Sequence, residues 1–416
     1  MKKLGILKSI LFLGLLSCAC SSFWALLSAK FGSVFFLTNT FVVLFCFCLA
    51  FVICLIDLNN KNAYLYKSDL IMPFILGCLI VGSLIIGYMM YGVKDFSAAI
   101  LNFGWIVLVL IFLPLKLDIT GWKIERLFLL FSLPIMILGI AQHYLSSTII
   151  GITSNGQTVV NAIFFLNGGS SNDVNLLSFG AQVRAFGLMD SGLTLGIFAL
   201  LVLSIALYTE HYSKLFRLLL LIISIYTIYA TLTRNIYIAA AFLILTKLFN
   251  TGGKSILNTR ILNVLYVVIT IFSFIGVYLV SILDHLTVFF ASFGISTFAV
   301  RFKYINYSLE MLNDLQEKLF GIQLTPTSNW PIDNGIVAMM VDKGSLFAIF
   351  VNILFFYIYY KKINFDNNNV FRMFFLLFPI IDFGNNVTNT FGYIGVLLLF
   401  ISSHTYHRTS KSEGEV

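Results

Sequence analysis

Arg184, Arg234 and Arg301 stand far apart in a chain in which only 11% of the residues are charged. A guanidinium is a planar fork of donors that grips a phosphate through two parallel hydrogen bonds, which an ammonium cannot do. Gathered in one place with Lys303, the three would bind a diphosphate and neutralise the charge it develops on leaving, the kind of stabilisation that is usually the largest catalytic term. Asp333 adds a carboxylate able to take a proton from an attacking hydroxyl. Asn334 and, nine residues later, Gly344 complete the candidate set. Each has a plainer reading. A lone arginine at a helix end snorkels to lipid phosphates. Asp and Asn favour helix N-caps, and an apolar run at 336–341 follows; for Asp333 the base and cap readings weigh equally. Gly344 can simply end a helix.

Other chemistry finds little support. Gly253-Lys254-Ser255 resembles a phosphate loop only in its last three positions, because Leu248 stands where the motif needs its first glycine. There is no HExxH, no zinc spacing and no aspartate pair of the kind that binds a metal with a nucleotide sugar. No metal and no cofactor is expected, and the energy for any reaction would come from an activated substrate. The six cysteines, Cys18, Cys20, Cys46, Cys48, Cys54 and Cys78, all lie in the first three apolar runs and read as small apolar residues.

The elements that must position these residues belong to a membrane protein. Of 416 residues, 59% are apolar, with a mean hydropathy of +0.95; soluble domains are roughly 45–50% apolar and about 25% charged. This excludes a water-soluble enzyme and a disordered chain, and the continuous runs argue against a β-barrel, whose strands alternate. The net charge of +8 sits in small groups between apolar runs, the pattern of a chain oriented by its loops and not of a nucleic-acid binder. Lys2, Lys3 and Lys8 precede the first run, and Leu16-Ser17-Cys18 faintly resembles a lipoprotein cleavage site; an uncleaved first helix is the expectation.

Runs near the ~20 residues a spanning helix needs fall at 9–27, 34–56, 70–92, 96–115, 124–145, 191–208, 216–233, 236–249, 264–283, 345–360, 373–388 and 390–404. Asp382, Asn385, Asn386 and Asn389 interrupt the last two. The expected fold class is an all-α polytopic membrane protein of about 12 transmembrane helices (10–12), with two large outer loops carrying interfacial helices. With the N-terminus inside, 18 of the 26 Lys and Arg fall on the inner face and 8 on the outer, giving +10 inside and −2 outside. The organisation is helices 1–5 in 1–145, a first outer loop at 146–190, helices 6–9 in 191–283, a second outer loop at 284–344, helices 10–12 in 345–407 and an inner tail at 408–416.

Within the second loop, Ile305, Leu309, Leu312 and Leu319 share one face at helical spacing. They predict an amphipathic helix on the outer leaflet, opened by Arg301 and Lys303 and stopped by Gly321. Arg234-Asn235 is the midpoint of a 40-residue stretch. Each arm reaches about 27–29 Å at ~1.5 Å per residue, so Arg234 tips a hairpin at headgroup depth. Arg184 lies seven residues before Ser191, at the same depth. One side and one depth for three arginines favour a shared phosphate site.

Arg184-Ala185-Phe186-Gly187, followed by a span rich in Gly and Leu, resembles the start of the core region of the O-antigen ligase and O-antigen polymerase superfamily. Thr233-Arg234 resembles its Ser-Arg step, and Arg301 with the segment ending in Leu319-Phe320-Gly321 resembles its second large outer loop. Asp333-Asn334, nine residues and Gly344 resemble a ligase motif in which a histidine stands at the position of Asp333; Phe347 also departs from a hydroxyl-bearing residue there. The resemblance covers about 182–360 and leans towards the repeat-unit polymerases. It implies a bacterial inner-membrane enzyme that joins oligosaccharide units carried on undecaprenyl diphosphate, alongside membrane lipids, a flippase and a chain-length regulator. A ligase and a lipid-linked oligosaccharide flippase are the alternatives.

Overall fold

The computed structural model describes residues 67–92, 124–145, 182–189, 191–209, 211–249, 259–282, 296–323, 334–360 and 369–384, with shorter stretches within 10–20, 45–56, 64–65, 106–116, 151–160 and 178–179 and residues 288, 292 and 332. Helices dominate. They are α1 (Lys67–Tyr91), α2 (Ile124–Leu145), α3 (Gly192–Tyr208), α4 (Lys214–Ala230), α5 (Arg234–Phe249), α6 (Thr259–Ile282), α7 (Ser296–Glu310), α8 (Leu315–Phe320), α9 (Gly335–Lys343), α10 (Ser345–Ile358), α11 (Asn369–Leu376) and α12 (Phe378–Gly384). One of them, over the 22 residues Leu70–Tyr91, is long and apolar enough to cross a membrane by length and composition, and Phe128–Tyr144, Gly192–Tyr208, Ile261–Val277 and Ser345–Ile358 are shorter apolar stretches.

The middle of the molecule is α3, 17 residues without a charge and buried continuously from Thr194 to Ala206. A helix apolar all round is a core helix, and α2, α4, α5 and α11 pack around it. Ser191 caps its start by accepting from Thr194 N at 3.2 Å. At its end the Arg217 guanidinium donates to the carbonyls of Ala206 at 3.0 Å and Leu207 at 3.3 Å, a cation where the helix dipole favours one. Lys247 lies over the Tyr208 ring, 5.3 Å from its centroid, at this same end. Tyr212 sits there beside Glu125 and Arg126; burial pushes its phenol up, Glu125 adds to this and Arg126 opposes it. On the outside of the bundle, α4 and α6 expose apolar rows, among them Leu215, Leu218, Ile222, Val264, Val268 and Phe272.

Three expectations are corrected. The described part of the first outer loop carries β-hairpins, not interfacial helices: β3 (Gly151–Ser154) pairs antiparallel with β4 (Gln157–Val160), and β5 (Ser178–Phe179) with β6 (Gln182–Val183). Asn155-Gly156 and Gly180-Ala181 stand between the paired strands, and both are two-residue hairpin signals. A further short pair joins β1 (Tyr64–Leu65) to β2 (Leu115–Lys116). The single amphipathic helix is two, α7 and α8, because Asp314 and Glu317 form a capping box that restarts the chain at Leu315. The eleventh run begins at Asn369 and breaks at Leu377, two residues before Pro379, which has no N–H for an intrahelical bond. The twelfth run, at 390–404, lies outside the described residues.

Arg217→Met keeps length and apolar packing but leaves the last carbonyls of α3 without their donor. It is expected to lower stability by about 1–2 kcal/mol, read as an earlier thermal transition of the detergent-solubilised protein, with Arg217→Lys in between.

Candidate functional site

Arg184 follows β6 directly and is half-buried. The next residue fixes its place: Ala185 N donates to Ala230 O, the last carbonyl of α4, at 2.8 Å. From the other side Gln142 of α2 grips the following peptides. Its Nε2 donates to Gly187 O at 3.0 Å, and its Oε1 accepts from Gly187 N at 2.8 Å and Phe186 N at 3.3 Å. The segment carrying Arg184 is thus clamped between α2 and the tip of the α4–α5 hairpin.

That tip is the turn 231–233, slightly earlier than the Arg234-Asn235 midpoint expected from arm lengths. Thr231 N and Leu232 N donate back into α4, and Leu232 adopts φ 50. Arg234, half-buried, is the first residue of α5. One turn further, Tyr237 lies within electrostatic reach of Arg184 and donates its hydroxyl to Tyr229 O at 2.8 Å. Arg184 and Arg234 therefore share one end of the bundle, the end opposite Arg217 and Lys247.

The Asn334 to Gly344 spacing has a structural meaning. Its nine intervening residues are the whole of α9, buried from end to end. Asn334 is the N-cap, its Oδ1 accepting from Val337 N at 2.9 Å while its Nδ2 donates to Phe383 O at 2.6 Å. The cap reading of Asp333 is thereby corrected: the capping residue is its neighbour. Asp333 itself lies outside the described residues. Gly344, at φ 92, ends α9 and starts α10, a left-handed conformation that favours glycine. The carbonyl of Leu319, at the end of α8, lies directly against it, so no side chain fits. Ile322 N and Gln323 N donate to Val341 O at 2.9 Å and Asp342 O at 3.1 Å, which ties Leu319-Phe320-Gly321 to the motif helix.

Asp382 and Asn235 were missed as site residues. Asp382, 2% exposed on α12, sets its carboxylate against Gly335, where a Cβ would collide with it. An anion at the N-terminus of α9 suits that helix's dipole. Asn235, next to Arg234, lies in the same way against Gly384. So α12 bridges the arginine-bearing hairpin to the Asn334 cap. The in-plane charge of Asp382 was visible in sequence; its partners, 47 or more positions away, were not.

The remaining expected cations come from α7. Arg301 lies inside α7, which starts at Ser296, and its side chain is outside the described residues; Lys303 is exposed. Lys343, counted as an outer cation, is buried: its Nζ meets Asp342 Oδ1 at 3.0 Å, donates to Gln323 Oε1 at 2.8 Å and lies 4.9 Å from the Tyr88 ring centroid. Burial pushes the Asp342 carboxyl up, and the Lys343 ammonium partly offsets this. The described residues hold no group of His, Cys, Asp or Glu able to bind a metal.

The fold and site define a mostly helical protein with one membrane-length helix among its described elements and two arginines at one end of its bundle. No protein-family model, no curated protein and no solved structure matches the chain.

Gln142→Met removes the three hydrogen bonds that Gln142 makes to the buried backbone of Phe186 and Gly187. A loss of about 1–3 kcal/mol is expected, together with faster labelling of a cysteine placed at Leu188; unchanged labelling would mean that Ala230 alone holds the segment.

Proposed function

We propose that this chain is a polytopic membrane glycosyltransferase of about 12 spans in the bacterial inner membrane, with both termini inside. It polymerises undecaprenyl-diphosphate-linked oligosaccharide units into O-antigen or capsular polysaccharide at the outer face. The observation that carries the proposal is the Ala185–Ala230 hydrogen bond, because it sets Arg184 against the hairpin that ends in Arg234. Two guanidiniums from distant segments at one depth suit a diphosphate better than one snorkelling arginine does. The exposed apolar rows on α4 and α6 support a lipid surround.

In the reaction an acceptor hydroxyl attacks the anomeric carbon of the donor sugar. The carbon–oxygen bond to the diphosphate breaks, and the departing lipid diphosphate keeps the electron pair. Arg184 and Arg234, with Arg301 and Lys303, neutralise its charge, and Asp333 accepts the hydroxyl proton. No cofactor is needed, since the donor is already activated. A flippase that delivers the unit and a chain-length regulator are the expected assembly partners.

Deletion of the gene, followed by gel analysis of surface polysaccharide, tests this reading: the ladder should vanish with one repeat unit retained. Unattached polymer would identify a ligase, and failure to deliver any unit a flippase. Reporter fusions after Ser171 and Asn329 should read outside, and those after Lys254 and Lys411 inside; an inside signal at Asn329 overturns the placement of the site.

The arginine and carboxylate roles separate by substitution. Arg184→Lys and Arg234→Lys keep the charge but lose the fork, and both should lower polymer per unit of inserted protein. Asp333→Asn should lower it about 10²–10⁴-fold at normal abundance, whereas Asn334→Ala, which removes the observed cap, should cost about 0.5–2 kcal/mol of stability and reduce abundance. Full activity in all three charge-site variants would refute the proposal.

A further inference from the structure

Beside the arginine pair lies a set of rings that the chemistry above leaves unused. His143, near the end of α2, meets Tyr144 edge-on at 5.2 Å between centroids and 81° between planes, and meets Tyr229 of α4 at 5.7 Å and 85°. Edge-to-face packing holds the rings in defined orientations. Tyr144 and Tyr229 nevertheless remain 59% and 47% exposed. The Tyr229 backbone is held as well, its carbonyl accepting from the Tyr237 hydroxyl.

The position of Tyr229 gives these rings a ligand. The Ala185 N to Ala230 O hydrogen bond docks the Arg184 segment on the hairpin. Arg184 is the residue before its donor, and Tyr229 the residue before its acceptor. A guanidinium and a partly exposed ring thus belong to the two residues that flank one hydrogen bond, and Tyr237 lies within electrostatic reach of both. A pyranose turns a face of weakly positive C–H groups outward, and an aromatic face is the negative part of its quadrupole. Tyr226, one turn away on the same helix and 51% exposed, makes no ring contact among the described residues. It has the character of a ring in lipid, and it marks the contrast with the fixed trio.

We propose that Tyr229, braced by His143 and Tyr144, is a carbohydrate subsite that stacks on the first pyranose of the lipid-diphosphate donor while Arg184 holds the adjoining phosphate. This rests on the diphosphate reading and adds to it the place of the sugar. The subsite recognises a ring and not a particular sugar, because any pyranose offers a C–H face.

The test is binding to the full-length protein in detergent of two probes, farnesyl diphosphate and farnesyl diphosphate bearing N-acetylglucosamine. The sugar-bearing probe should bind about 3–10-fold tighter, the range a stacked ring provides. Tyr229→Leu should abolish that difference while leaving the farnesyl diphosphate affinity in place, and Tyr229→Phe should keep it. Arg184→Ala should weaken both probes. Tyr226→Leu, an equally exposed tyrosine of the same helix, should change neither, which separates a subsite from a general effect on α4. Equal affinity for the two probes, or equal effects of Tyr229→Leu and Tyr226→Leu, overturns the subsite alone. Binding of neither probe overturns the diphosphate reading, and the subsite with it.

Discussion

A charge placed at the centre of a bilayer costs roughly 2.5–3.5 kcal/mol on insertion scales, and in the proposed membrane setting the arrangement of this chain avoids that cost. Its central helix, Gly192–Tyr208, carries no charge and shows almost no surface. The cations around it sit at the ends. Arg217 satisfies the last carbonyls of α3 at one end, and Lys247 lies over Tyr208 beside it. Arg184 and Arg234 occupy the other end. Topology then sets two arginine-bearing segments side by side: the hydrogen bond from Ala185 to Ala230 docks the segment that carries Arg184 on the hairpin that carries Arg234, as the proposed anion site needs.

The same constraint lets contacts be compared with the charge count, which uses no coordinates. Connections that the count assigns to one face are the ones that touch. Tyr64-Leu65 pairs with Leu115-Lys116, and Tyr212 lies beside Glu125 and Arg126; all fall inside by the count. Gln142 binds Gly187, and Lys343 lies over Tyr88; all fall outside. Contacts and charge count thus sort these polar residues into the same two ends, and the proposed orientation of those ends rests on the charge count.

Sequence legibility followed the length scale of each signal. Helices longer than about 16 residues announced themselves by continuous apolar runs: the run at 124–145 is α2 to the residue, and α3 to α6 lie within five residues of their expected bounds. Short elements were harder. Asn155-Gly156 carries a hairpin signal, but the strands it joins are four residues each, too short to stand out beside the apolar runs. Asp314 and Glu317 divided a helix whose apolar spacing ran on unbroken. For Arg184 and Arg234 the sequence showed that both belong at one end of the helices, which is where the structure has them. What brings them together, Gln142 and the Ala185–Ala230 bond, and what joins them to Asn334, Asp382 with Asn235, are long-range pairings that no local pattern encodes.

The nine-residue interval between Asn334 and Gly344 shows how a spacing becomes geometry. Nine residues make two and a half helical turns, about 13–14 Å of rise. Both ends are anchored. Asn334 is held to Phe383 and to Val337, and Gly344 lies against Leu319 with no room for a side chain. An inserted residue would rotate one anchor about 100° relative to the other, so neither contact could persist with both ends in place. The spacing is therefore set by α9 as a strut between α12 and α8. Because Asn334 already satisfies the start of that strut, the residue before it is relieved of capping. Through Phe383 and Gly384, α12 links the start of α9 to the hairpin that carries Arg234, and the proposed reaction asks the Asp333 carboxylate for a proton acceptor, not for a cap.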